Sequence, residues 1–201
     1  GVKNFSIKLD DSQLYVNSLE NHLVLHGFVH SAHRHDSYLM VYFTQGIGEH
    51  TIDFEKFEIK QGSLFLLQPG QMHHWTLSED IKGYIVLFSK EIYQLYFGHK
   101  KASDFQFYSS PSTNPHLFFE TIEETSLLFY YDLLLKESRN KKMFKIEMMT
   151  NLLDCIHIVI ARKYSEVSPS IKTLHNTKVA GFEILVEEHF KKPVILTDYP
   201  K

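Results

Sequence analysis

The spacing of turn formers constrains this fold more than any other feature. Between residues 5 and 88 the apolar runs are short and end at breakers: Gly27, Gly46, Gly48, Gly62, Pro69 with Gly70, and Gly83. The segments between them, such as "SYLMVYFTQ", "GSLFLLQPG" and "GYIVLF", have strand length and not helix length. The spacing predicts a meander of strands that closes on itself as a sandwich or barrel. With 201 residues, the chain can bury roughly 70% of its unfolded surface and needs neither crosslinks nor metal to fold.

After Phe88 the texture changes. "FSKEIYQLYFG" predicts a helix that starts at Ser89 as N-cap and stops at Gly98. "SDFQFYSSPSTNP" reads as a loop, and residues 115–136 and 142–164 read as two helices separated by the polar "KESRNKK". The expected class is α+β, mainly β: a barrel over 1–98, a helical segment over 99–168, and a linker with one further helix over 169–201.

The helix over 142–164 is apolar on most of its circumference, with a narrow polar stripe at Glu147, Asn151 and Asp154. So apolar a helix needs more than one neighbour. Met149, Leu152, Leu153, Ile156 and Ile160 are the expected contacts to a second subunit in a homodimer; the alternative is packing against the first helix and the barrel. "KVAGFEILVEEHFKK" sets Val179, Phe182, Leu185, Val186 and Phe190 on one helical face with little sequence left to cover them, as at the opening of a further domain.

Composition narrows the partners. The 21 Lys and Arg against 24 Asp and Glu leave no basic excess with which this chain alone would grip nucleic acid. The one cysteine, Cys155, lies in an apolar stretch and is expected to be buried and reduced. No stretch has the length of a membrane span, so a cytoplasmic protein is expected.

Histidine supplies the chemistry. His33 and His35, two apart on a strand, share a face and can aim two imidazoles at one ion. His73 follows the Pro69–Gly70 turn and is expected to join them, with Trp75 on its face and His74 on the other. These spacings resemble the two motifs of the cupin superfamily. Gly27, His33, His35 and Gly46 stand in register with the first motif, and Gly62, Gly70 and His73 with the second. Leu39 stands where the first motif has its glutamate; Gln68 stands at the second motif's proline position and Leu77 at its asparagine position.

Without that carboxylate, three neutral imidazoles can still hold a divalent late metal, but proton transfer loses its base. No cofactor and no catalytic residue are therefore expected. The histidines serve as ligand-cavity walls or as a metal site. If Leu39, Val41 and Phe43, which share the histidines' parity, fill the barrel, there is no ligand. No phosphate loop, HExxH, cysteine cluster or GxSxG elbow competes.

The stretch from His33 through "GSLFLLQPGQMH" to "GYIVLFS", with Gly46, Asp53 and Phe57 in place, resembles the amino-terminal sensor domain of AraC-type transcriptional regulators. That resemblance implies a cupin-like double-stranded β-helix barrel, a helical dimerisation segment, and then a helix-turn-helix DNA-binding domain of which "FEILVEEHFKK" is the first helix. It implies a small-molecule effector, a sugar among the candidates, that controls promoter DNA binding. The expected effector contacts are His33, His35, His73, Trp75, Tyr42 and Tyr84. The competing expectation is a metal-dependent cupin isomerase or dioxygenase that uses the three histidines.

Overall fold

The computed structural model describes residues 3–4, 13–26, 31–98, 100–110, 113–120 and 124–167. The chain divides into two compact units, Gly1–Tyr164 and Ser165–Lys201. The segment 169–201, with its expected linker and opening helix, lies outside the described residues.

The first sheet runs β1 (Lys3–Asn4), β3 (His33–Arg34), β8 (Met72–Leu77), β5 (Gly48–Ile52) and β6 (Glu55–Ile59) from edge to edge. The second runs β10 (His116–Phe118), β7 (Ser63–Leu67), β4 (Tyr38–Gln45), β9 (Lys82–Phe88) and β2 (Leu14–Ser18). Helix α1 (Leu19–Leu25) follows β2, α2 (Ile92–Phe97) follows β9, and α3 (Glu124–Ser138) and α4 (Lys145–Val167) come last.

The two sheets carry different sequence patterns because their outer faces meet different surroundings. In β5, β6 and β8 burial alternates, as in β8, where His73 and Trp75 are buried and Thr76 is exposed; one face packs and the other meets water. In β4 and β7 nearly every residue is buried, so each strand reads as one apolar run. The second sheet is covered on both sides.

Two cores result. Odd residues of β4 (Leu39, Val41 and Phe43) join Phe65, Leu67, Ile85 and Leu87 of the same sheet and Ile52, Ile59 and Trp75 of the other, forming an inner core between the sheets. Even residues (Tyr38, Met40 and Tyr42) join Val86, Phe88, Ile92, Tyr93 and the buried faces of α3 and α4 in an outer core. Each fully buried Leu, Phe or Ile contributes roughly 1.5–3 kcal/mol.

Two glycines are fixed by geometry. A Cβ on Gly83 would stand 2.0 Å from the Tyr42 carbonyl oxygen, so β4 and β9 approach closely only with glycine there. Gly70 has φ +91°, a left-handed value suited to the β7–β8 turn.

Several expectations are corrected. Within the span 5–88, expected as a meander of strands, Leu19–Leu25 instead forms α1, where Ser18 Oγ accepts the Asn21 N–H at 3.4 Å. The helix expected from 115 begins at Glu124, because His116–Phe118 pairs antiparallel with β7 as an edge strand. Ser89 does not cap α2, whose N-cap is Glu91; the Ser89 hydroxyl donates to Gln13 Oε1, while Gly98 ends the helix as expected.

Met149, Leu153, Ile156 and Ile160 are buried in the outer core, and Leu152 is half-buried against it. The α4 face expected to meet a second subunit is thus buried within the chain's own outer core. Cys155, expected in the core, is half-buried. No helix among the described residues is long and apolar enough to cross a membrane.

Candidate functional site: a buried histidine cluster between the sheets

β3 and β8 lie side by side with His33 opposite His73. Strand alternation turns His73 and Trp75 into the inner core, and His33 and His35 are buried with them. The turn that delivers β8 is tied to the first motif, because the Gly70 amide donates to the His35 carbonyl at 2.8 Å. Asp53, in the β5–β6 turn, accepts the Met72 N–H at 2.9 Å and so fixes where β8 begins.

His33, His35 and His73 converge, and one ring nitrogen from each lies within 4.8 Å of the others. Their ring centroids are 4.4–5.3 Å apart. Burial lowers the pKa of His33 and, more strongly, of His73, so these imidazoles are neutral near pH 7.

Neutrality together with a carbonyl partner assigns the proton of His33. His33 Nδ1 lies 2.7 Å from the Ser31 carbonyl oxygen, which can only accept. Nδ1 therefore carries the hydrogen and Nε2 the lone pair. His73 Nδ1 lies 3.0 Å from Nε2 of a fourth histidine, His50, and His73 Nε2 is buried with no partner among the described residues.

Ring nitrogens that converge on one point, with two of the three rings steadied through their other nitrogen, suit a late divalent metal. The donor set fits such an ion, which would supply a positive centre for an electron-rich ligand. His33, His35 and His73 would hold it, Ser31 would orient His33, and His50 would orient His73. Among the described residues, no carboxylate belongs to the cluster. Leu39, at the position of the cupin glutamate, is 1% exposed in the inner core.

The described unit, its two sheets and its helical cover, coincides with what the family comparison finds: a model described as "AraC-like ligand binding domain" matches residues 19–163. The chain belongs to the AraC-like ligand-binding domains. No curated protein matches it significantly.

Solved structures similar to this AraC-like domain include an apo ToxT variant from Vibrio cholerae (12% identity, 92% of this chain, 68% of that one, TM-score 0.43). Others are KdgF from Halomonas sp. (23% identity, 29% of this chain, 56% of that one, TM-score 0.28) and the Streptomyces PAC13 protein with uridine (16% identity, 40% of this chain, 63% of that one, TM-score 0.32). The chain spans 56% of the length of the Halomonas structure and 63% of the Streptomyces one.

In the AraC-like domain, His33, His35, His73 and Trp75 are together, as expected. Tyr42 and Tyr84 are not with them. Tyr42 is an even residue of β4 and stacks on Tyr131 of α3 at 5.8 Å in the outer core. Tyr84 pairs with it in register, stacks on the same ring and donates to Asp132. Both sit on the side of the sheet away from the histidines.

His50 was missed. It is fully buried and pairs in register with Trp75. Its signal was present, since it precedes the inward-facing Ile52 by two residues on a strand. Apart from the cluster, a cavity of about 520 Å³ opens between β2 and the α3–α4 corner, lined among others by Leu14, Val16, Arg139, Phe144 and Lys145.

Proposed function

We propose that this chain is the effector-sensing region of an AraC-type transcriptional regulator and that its effector is received at His33, His35 and His73. The observation that carries this reading is the convergence of three buried imidazoles, two with their outer nitrogens engaged by Ser31 and His50. An inner core filled below by Leu39, Val41 and Phe43 confines the ligand to the histidine end and keeps it small. A divalent ion on the three histidines belongs to the same proposal.

Catalysis is not part of it. General acid–base chemistry wants a group poised near the working pH, whereas burial depresses His73 and His50 well below theirs and, among the described residues, the cluster has no carboxylate.

The homodimer of this reading uses the side of α4 turned away from the sheet, where Met148 is 51% and Ile158 39% exposed beside half-buried Cys155. Promoter DNA is bound by a helix-turn-helix domain of the same protein, in the cytoplasm, and ligand acts by favouring one arrangement of the dimer.

The test is promoter occupancy by the full-length regulator, measured with and without divalent metal and candidate effectors. Occupancy should respond in the unaltered protein and stop responding in His33→Ala and His73→Ala. A response that survives both substitutions would place sensing elsewhere.

A further inference from the structure

The cavity between β2 and the α3–α4 corner is separate from the histidine cluster. No histidine lines it, and its volume is about 520 Å³. Small-molecule sites typically measure roughly 300–1,000 Å³.

Most of its wall is apolar. Leu14, Val16, Ile146 and Met149 line it, and each belongs to the outer core or packs against it. Phe144 stands on the same wall with 70% of its surface exposed. Its backbone has φ +58°, a left-handed value unusual for an aromatic residue. Its carbonyl accepts the Met148 N–H at 2.9 Å, which ties that backbone to the first turn of α4. The ring is therefore fixed at the wall and left uncovered. A flat aromatic guest would cover it, and the Met149 thioether is a favourable neighbour for such a guest.

Charge defines the other end of the guest. Arg139 and Lys145 also line the cavity. The ion pairs among the described residues are Lys56 with Glu49 and Lys100 with Asp154, so neither of these two cations has an acidic partner there. Lys145 Nζ donates to the Ser138 carbonyl at 2.6 Å, across the corner, and keeps two further N–H donors. Arg139 adds a planar fork that matches a carboxylate. Glu147 borders the cavity too, but it stands two residues from Lys145, a spacing at which helical side chains do not face each other. Two cations against one carboxylate leave the cavity net positive.

We propose that this cavity is a second ligand site, taking an aromatic carboxylate whose ring lies against Phe144 and Met149 and whose oxygens are held by Arg139 and Lys145. It works without the histidines and without a metal.

The test is calorimetric titration of the purified chain in EDTA with 2-naphthoate, with its neutral isostere 2-naphthamide, and with acetate, the headgroup alone. Naphthoate should bind once per chain, naphthamide at least tenfold more weakly, and acetate too weakly to measure. Arg139→Gln and Lys145→Gln should each lower naphthoate affinity about tenfold with an unchanged circular dichroism spectrum; the Arg139 side chain is exposed, so its replacement spares the fold. One equivalent of zinc in place of EDTA should leave the affinity as it was. Equal binding of naphthoate and naphthamide, undiminished affinity in Arg139→Gln, or no saturable naphthoate binding overturns the proposal. Binding that appears only with zinc overturns it as well, by seating the carboxylate at the histidines.

Discussion

The inner and outer cores are built on opposite faces of the same strand, and both bury polar aromatic rings, but they use them differently. In the inner core three imidazoles turn toward one point, with Ser31 and His50 engaged behind two of them. In the outer core His157 sits in a box of Phe88, Tyr93, Phe105, Phe107 and Tyr108 and is bonded through Nδ1 to the Tyr93 hydroxyl. The tyrosines there stack in pairs, as Tyr42 does on Tyr131 and Tyr38 on Phe88. One core gathers the ring nitrogens of three histidines at one point. The other spends its rings on joining helices to sheet. Buried polarity marks a site only where it converges.

The largest expected effect lies in the outer core. Phe88→Ala removes a fully buried ring in contact with Tyr38, Tyr93, Tyr108 and His157 and should cost about 3–5 kcal/mol in urea unfolding. Cobalt affinity of the folded fraction should hold. A matching loss of affinity would mean the two cores are not separable.

Acid should reveal the next effect. Burial holds the pKa of His157 at about 3, against 6.5 for a free imidazole, with Lys100 adding to the depression. The unfolded chain therefore takes up a proton that the folded one refuses. The stability due to neutral His157 is fully present above about pH 6.5 and declines as pH falls toward 3. His157 alone should account for about 2 kcal/mol by pH 5. His22, also held at about 3, steepens the slope. Urea midpoints at pH 7 and pH 5 should differ less in His157→Leu than in the unaltered protein; equal slopes would show that the box is not dry.

In the inner core, His50→Leu leaves the three histidines in place but removes what orients His73. Cobalt affinity should fall about 10–100-fold, with near-native stability. His50→Gln, which can still accept from His73 Nδ1–H, should recover part of it. A variant indistinguishable from the unaltered protein would make His50 a packing residue only.

The smallest effect belongs to Tyr84→Phe, which deletes a partly exposed hydrogen bond to Asp132. It should cost roughly 0.5–1.5 kcal/mol and leave ligand binding unaltered. Altered ligand affinity would put Tyr84 back among the effector contacts, on the wrong side of the sheet.

Period-two alternation made most of the inner core legible from the sequence. It placed His33, His35, His73 and Trp75 on one face, and the parity that groups Leu39, Val41 and Phe43 with them should also have excluded Tyr42. Chemical suggestiveness outweighed parity there. His50 escaped because "GEHTI" reads as an ordinary edge-like alternation, and its partner His73 is 23 residues away, beyond any local pattern.

The outer core was harder because a helix apolar around most of its surface does not say which neighbour it meets. Met149, Leu153, Ile156 and Ile160 fit a subunit interface as well as they fit the outer core. Helix α1 was lost for a different reason: a run as short as "HLVL" suits strand or helix, and Ser18 as N-cap was the only local sign.

The most direct measurement is a cobalt(II) titration of the metal-free chain, with His33→Ala and His73→Ala in parallel and folding checked by circular dichroism. One ion per chain in the unaltered protein, lost in both folded variants, is the expected result. No uptake, or uptake that both variants retain, would contradict the claim that the histidines converge to hold a ligand.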